Sequence, residues 1–228
     1  MSTKRILLGV SSVVLLSTFG LAAPLQIVNS DFSAIPIVCP LGYSYQSFGG
    51  DCNSPNPQQD FNGTPGFGWI FGFISGNGLT APNTNFNPPD FGGLPFQQAA
   101  FLQDGASSVY QDIAGFSAGA NYVLRFYLGS RYFNVGFDGN QTVEALIDGT
   151  VIGTWPLVSF TPFELRNVTF SVPTGGVHRL EFMGTVFGDH TAFVSGVSID
   201  AVPEPATFTL LAAGMLSTLF KLKGFRTR

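Results

Sequence analysis

Asn121-Tyr122-Val123-Leu124-Arg125-Phe126-Tyr127-Leu128-Gly129 alternates without a break: Tyr122, Leu124, Phe126 and Leu128 fall on one side, Val123, Arg125 and Tyr127 on the other. A period of two is the signature of a strand, so this stretch predicts one buried face and one wet face. Toward the C-terminus, Val143, Ala145 and Ile147 repeat the period, Asp148-Gly149 is a two-residue hairpin signal, and Thr150 to Trp155 reads as the return strand. Leu165 falls out of register with Val168, Phe170 and Val172, which predicts a bulge near Arg166 or Asn167. Leu180 with Phe182, then Phe193, Val197 and Ile199, extend the series. Toward the N-terminus, Gln98 to Leu102 and Ser107 to Ile113 read as a hairpin joined at Asp104-Gly105. Before them, Pro36 to Pro95 is mostly turn-formers, predicting long irregular loops broken by one aromatic strand at Gly68 to Ile74.

About nine short strands with turn signals between them predict an all-β chain folded as a two-sheet antiparallel β-sandwich of jelly-roll type. No helix-period segment separates the strands, which excludes a parallel βαβ sheet. The ends differ from this body. Lys4 and Arg5 precede an apolar run from Ile6 to Phe19 and the small residues of Gly20-Leu21-Ala22-Ala23, the order of a secretory signal peptide with cleavage near Ala22. The alternative is an uncleaved anchor, for which the run is short. At the other end, Ala206 to Phe220 is apolar and Lys221, Lys223, Arg226 and Arg228 follow it, an arrangement that stops transfer and keeps the charges in the cytoplasm. The organisation expected is therefore a signal helix over 1–22, a sandwich domain over 23–201, and a hydrophobic helix with a basic tail over 202–228.

Between the ends the chain keeps four arginines, no lysine and thirteen Asp and Glu, a net charge near −9. Such a surface repels phosphate backbones, so nucleic-acid binding is not expected. Cys39 and Cys52 are the only cysteines, and an exported chain meets an oxidising compartment, so a disulfide between them is expected.

Val202-Pro203-Glu204-Pro205-Ala206-Thr207, followed by the apolar segment and the basic cluster, resembles the tripartite PEP-CTERM sorting signal. The resemblance implies a Gram-negative host that makes extracellular polysaccharide, insertion in the inner membrane through the C-terminal helix, and processing by an exosortase-type enzyme at the Pro-Glu-Pro motif. An ordinary tail anchor after a Pro-rich linker is the other reading. In the body, Ala99-Ala100-Phe101-Leu102-Gln103-Asp104-Gly105, Val109-Tyr110-Gln111, Tyr122-Val123-Leu124-Arg125-Phe126, Leu146-Ile147-Asp148-Gly149, Val177 to Gly184 and Thr191 to Ile199, taken in order, resemble galactose-binding-like jelly rolls. The group resembled is an uncharacterised family of plant cell-wall and exported bacterial proteins. Many related jelly rolls hold a structural calcium between an early Asn-x-Asp/Glu segment and a late acidic pair. Asn29-Ser30-Asp31-Phe32 matches the first part, but Ser195-Gly196 stands where the pair is expected, leaving Asp31, Asp200 and backbone carbonyls as candidate calcium ligands.

Chemistry-bearing residues are few. His178 shares parity with Leu180 and Phe182 and reads as a structural histidine, while Asp189-His190 reads as turn chemistry. No HExxH or phosphate loop is present, and the few glutamates leave little for a glycosidase pair. The chain is therefore expected not to be an enzyme, and to be an exported, envelope-held surface protein that associates with extracellular polysaccharide. A purely structural matrix component is the alternative, and a polysaccharide-active enzyme the third class. The candidate ligand face is the wet side of a sheet carrying Arg125, Tyr127 and Glu144, for donors, ring stacking and hydroxyl acceptance, with a solvated Arg–Glu pair as the bland reading. The loops of Trp69 and Tyr132 are the next place to look.

Overall fold

A computed structural model describes residues 24–47, 51–53, 57–72, 76–133 and 136–203. The expected signal segment 1–22, Glu204 and Pro205 of the sorting motif, and the apolar and basic segment beyond them lie outside the described residues; Val202 and Pro203 are described and exposed.

Among the described residues there are twelve strands and no helix: β1 Tyr43–Gln46, β2 Gln58–Gln59, β3 Ile70–Phe71, β4 Asn77–Thr80, β5 Ala99–Leu102, β6 Ser108–Phe116, β7 Asn121–Ser130, β8 Thr142–Ile147, β9 Thr150–Pro156, β10 Glu164–Ser171, β11 Gly176–Gly184 and β12 Ala192–Ala201. They form a seven-stranded sheet in the order β10-β7-β12-β5-β4-β1-β2 and a five-stranded sheet in the order β3-β6-β11-β8-β9. Every pairing is antiparallel except β1 with β2. This is the β-sandwich that the alternation predicts.

The β8–β9 hairpin turns at Asp148 and Gly149, which take φ of 49° and 78°. Two positive φ values in a row are what a two-residue turn needs to match strand twist. Asp104-Gly105, by contrast, does not make a hairpin. β5 belongs to the seven-stranded sheet and β6 to the five-stranded one, so the chain crosses between sheets there. A turn dipeptide says that the chain reverses; it does not say which neighbour the next strand will find. The expected bulge in β10 is also absent, since Glu164 to Ser171 pair with Leu128 to Asn121 without a shift. Leu165 is simply exposed on an edge strand. Shifts occur instead in β12 between Ser195 and Ser198, at Gly196 with φ 60°, in β11 between Gly176 and His178, and in β8 between Ala145 and Leu146. The Pro36 to Pro95 region carries β1, β2 and β4 beside the expected aromatic strand, because central sheet neighbours supply the hydrogen bonds that local propensity does not.

The main core lies between the sheets, where Leu124, Phe126 and Leu128 of β7 face Phe182 and Leu180 of β11 and Ile113 of β6. A second cluster covers the outer face of the seven-stranded sheet: Tyr43, Phe101 and Phe193 are roofed by Phe86, Phe91, Phe96 and Phe163 from loops. Buried rings fill both faces of the central strands, and this is where many of the 24 phenylalanines go. Cys39 and Cys52 are bonded, closing a 13-residue separation in the loops beside β1. In the chain-entropy model such a closure contributes about 3 kcal/mol.

Candidate functional site

β7 ends, β8 begins, β9 ends, β10 begins, β11 ends and β12 begins at the same end of the sandwich, so the connecting segments after Ser130, Pro156 and Gly184 meet there. The β5–β6 crossing joins them. Backbone bonds lace these segments together: Arg131 N–H donates to Thr191 O at 3.0 Å, Phe160 N–H to Arg131 O at 3.3 Å, Asp138 N–H to Asp189 O at 3.1 Å, and His190 N–H to Gln103 O at 3.1 Å. Gln141, fully buried, is the hub. Its Oε1 accepts from the N–H groups of Thr142, Thr185 and Val186 at 3.0, 3.0 and 2.7 Å, and its Nε2 donates to the carbonyls of Val186 and His190 at 3.2 and 2.8 Å. A buried amide that uses both its oxygen and its nitrogen this way holds a loop without regular structure.

Two charged pairs sit on this frame. Arg131, its side chain 6% exposed, lies with its guanidinium carbon 4.3 Å from the Phe86 ring centroid and 3.9 Å from that of Phe137. Its Nη1 donates to Asp189 Oδ1 at 2.9 Å, and Gln103 donates to the same oxygen. Burial lowers the Arg131 pKa, with Asp189 working against it. Burial likewise pushes the Tyr45 phenol up to about 12, and its hydroxyl donates to Gln103 Oε1 at 2.8 Å. The second pair is Asp138 with His190, Oδ1 to Nδ1 at 2.5 Å, the two residues forming an isolated parallel bridge. Burial works to raise the Asp138 pKa, but the bonds from His190 and from Asn140 outweigh it and hold the carboxyl below its ordinary value.

Around these pairs the loops expose rings. Phe133, Phe160 and Phe187 are each more than half exposed, and Tyr132 partly so. Tyr132 and Phe160 pack with ring centroids 5.1 Å apart, and the Phe187 ring lies across Gly105, within 3 Å of where a Cβ would sit. A group of exposed large rings on well-anchored loops is unusual on a soluble surface and marks a place of contact. At the opposite end, a shallow groove among Leu25, Gln26, Ala114, Gly115, Tyr122 and Ala201 carries no comparable chemistry.

The residues proposed from alternation do not assemble. Arg125 and Tyr127 lie on β7 in the seven-stranded sheet, but Glu144 lies on β8 in the other sheet, so the three share no face. Tyr127 is not on a wet face either: Phe96 packs on it at 5.3 Å, part of the roof over that sheet. Arg125 pairs with Asp200 at 2.5 Å, not with Glu144, and Arg166 pairs with Glu164 at 2.6 Å along its own strand. Asp200 thus has a cation already, and both oxygens of Asp31 accept from Ser33 Oγ at 2.8 Å. Among the described residues no three His, Cys, Asp or Glu side chains gather to hold a metal. Trp69 is buried in the core, its Nε1 donating to Asn29 O at 2.9 Å. Tyr132 does stand at the loop end. His178 is structural as read: Nδ1 meets Asp148 Oδ2 at 2.5 Å and Nε2 meets Thr174 O at 2.9 Å. His190 was read as turn chemistry, and Asp138, Phe133, Phe160 and Phe187 were missed, though rings in turn segments were a legible signal, since turns are ordinarily polar.

No family model matches the chain, and no curated protein matches it. Among solved structures it is similar to a cyclase from Fischerella sp. in its apo form, at 18% identity, covering 80% of this chain and 98% of that one, with a TM-score of 0.56. It is similar in the same way to a Stig cyclase from Fischerella sp. TAU in complex with (3Z)-3-(1-methyl-2-pyrrolidinylidene)-3H-indole, at 17% identity, 80% and 98% coverage and a TM-score of 0.55. A family 35 carbohydrate binding module from Clostridium thermocellum is more distant, at 10% identity, 57% and 90% coverage and a TM-score of 0.39. The first two share the fold and are enzymes. The expectation that this chain is not an enzyme is corrected accordingly: it rested on a scarcity of linear catalytic motifs, and chains of this fold are enzymes. Loops bring together residues far apart in sequence, as they bring Asp138 to His190.

Proposed function

We propose that this chain is exported, held at the cell envelope through its C-terminal segment, and binds an extracellular polysaccharide at the loop end of the sandwich. The observation that carries the binding is the ring exposure: Tyr132, Phe133, Phe160 and Phe187 stand out from loops that are otherwise tightly bonded. Sugar C–H faces stack on such rings, while hydroxyls exchange hydrogen bonds with Asn140, Asp138 and His190 beside them. The domain carries a net charge near −9, which disfavours an anionic chain and favours a neutral one. Export is supported by the charged, apolar, small-residue order of the first 23 residues and agrees with a Cys39–Cys52 disulfide. Retention rests on the resemblance of 202–228 to a PEP-CTERM signal, with an exosortase-type enzyme and the inner membrane as partners.

Affinity gel electrophoresis against neutral and anionic polysaccharides tests the binding. A neutral polysaccharide should slow the wild type, and a Phe160→Ala, Phe187→Ala double variant should bind about tenfold more weakly, each ring being worth roughly 0.5–1.5 kcal/mol. Equal retardation of wild type and variant would move the site away from the loop end. A wild type that no polysaccharide slows would leave the matrix-component reading in its place.

A further inference from the structure

We infer that Asp138 and His190 form a general-base site that hydrolyses O-acyl esters; that the ester is carried by a glycan rests on the binding reading above. A carboxylate only accepts hydrogen bonds, so the 2.5 Å contact to Asp138 Oδ1 places a proton on His190 Nδ1. In the neutral ring the Nε2 lone pair is then free, and no group among the described residues bonds it. His190 is partly exposed, so this nitrogen is reachable. Gly188 keeps it so: its φ is 110°, a conformation side chains rarely adopt, and a Cβ there would lie 3.3 Å from Nε2.

Both members of the pair are fixed from behind. Thr191 N–H donates to Asp138 O at 2.9 Å, Asp138 N–H to Asp189 O, and His190 O accepts from the buried Gln141 amide. A base oriented by a carboxylate, with its second nitrogen open in a rim of exposed rings, is the arrangement that proton transfer requires. His178 shows the contrast within the same chain, since both of its ring nitrogens are occupied.

The reaction class follows from what the neighbouring groups are. Cleaving a glycosidic bond calls for a second carboxyl that protonates the leaving oxygen. Here Asp138 is bonded to His190, Asp189 to Arg131, and Asp104 Oδ1 accepts from Gly105 and Gly188 N–H. An ester needs no such acid. His190 Nε2 takes a proton from water as the water oxygen bonds to the acyl carbon; the acyl C–O bond to the sugar breaks, and the proton passes from Nε2 to the departing alkoxide. Water and ester become a carboxylic acid and a free hydroxyl, and nothing is oxidised. Asp138 is the positioning residue.

The probe is p-nitrophenyl acetate, with the full chain in detergent. His190→Gln should reduce hydrolysis roughly 100-fold, within the range of general-base contributions. Asp138→Asn should lower kcat at unchanged fold and unchanged KM, a split that loss of a merely structural contact would not give. Should His190→Gln fail to fold, diethyl pyrocarbonate on the wild type serves instead: one of the two histidines should react, be His190 by mass, and take the hydrolysis with it. Undiminished hydrolysis in folded His190→Gln, or after modification of His190, overturns the inference. If that happens while a polysaccharide still retards the wild type, the binding reading stands and the catalytic one falls. If His190-dependent hydrolysis is found with no polysaccharide bound, the general base stands and its glycan assignment falls.

Discussion

His178 is one residue whose partners make a pH-dependent statement. The bond to Asp148 first, then that to Thr174 O, raise its pKa above the ordinary 6.5, against the effect of burial. Its contribution to stability is therefore complete below 6.5 and is lost as pH rises through the raised value. Asp148 runs the other way. Burial raises its pKa, but the bonds from Arg179 N–H and His178 prevail and lower it below 3.8, so its contribution is present above 3.8 and lost as pH falls through the lowered value. The pair thus stabilises most between these limits. Urea midpoints measured from about pH 5 to about pH 9 should fall above 6.5 in the wild type, and Asp148→Asn should flatten that fall. Parallel profiles for the two proteins would remove the pair from the account. His178 was legible as structural because it shares parity with Leu180 and Phe182. His190 was not, because its role depends on Asp138, 52 residues away.

Among the elements, β4 is the one that the composition of its region hid. It lies between β1 and β5 with all four residues buried, and Gly78 is what lets it approach β1. A Cβ there would lie 2.1 Å from Ser44 O and 2.8 Å from Tyr45 Cα, both backbone atoms that cannot rotate away. Gly78→Ala should cost about 3 kcal/mol, the upper part of the overpacking range, and lower the thermal midpoint accordingly. A loss under about 0.5 kcal/mol, typical of surface changes, would mean that the two strands are not so close. β7 shows the opposite relation. Its alternation was read correctly, and its inner face does fill the core, but the outer face is roofed at Tyr127 by Phe96.

For the whole molecule, the sandwich closes on itself: Leu25 bridges Ile199 near one end of the chain, and Val202 N–H donates to Asn121 O at 2.8 Å near the other. All twelve strands of the described residues lie before Pro203. Deleting 204–228 should therefore leave the domain folded and release it into the medium of an exporting host, while the full chain stays with the envelope. Fractionation with immunoblotting reads the outcome, and a truncated protein that remains with the membranes would refute retention by the tail. Mass spectrometry of the full chain from that host would report in addition whether cleavage occurs near Ala22 and at the Pro-Glu-Pro motif.

Period-two alternation, the Asp148-Gly149 turn and the paired cysteines were readable in the chain because each depends on residues close in sequence: a strand's two faces, a turn's two positive φ values, a short loop to close. The partner of each strand was not readable, so Asp104-Gly105 looked like a hairpin and Glu144 looked like a neighbour of Arg125. Sheet membership and the roof over Tyr127 are set by contacts between distant segments, which leave no local period. The loop end is the extreme case. Its rings, its buried Arg131 and its Asp138–His190 pair come from segments that only the packed sheets bring together, and no spacing along the chain records that meeting.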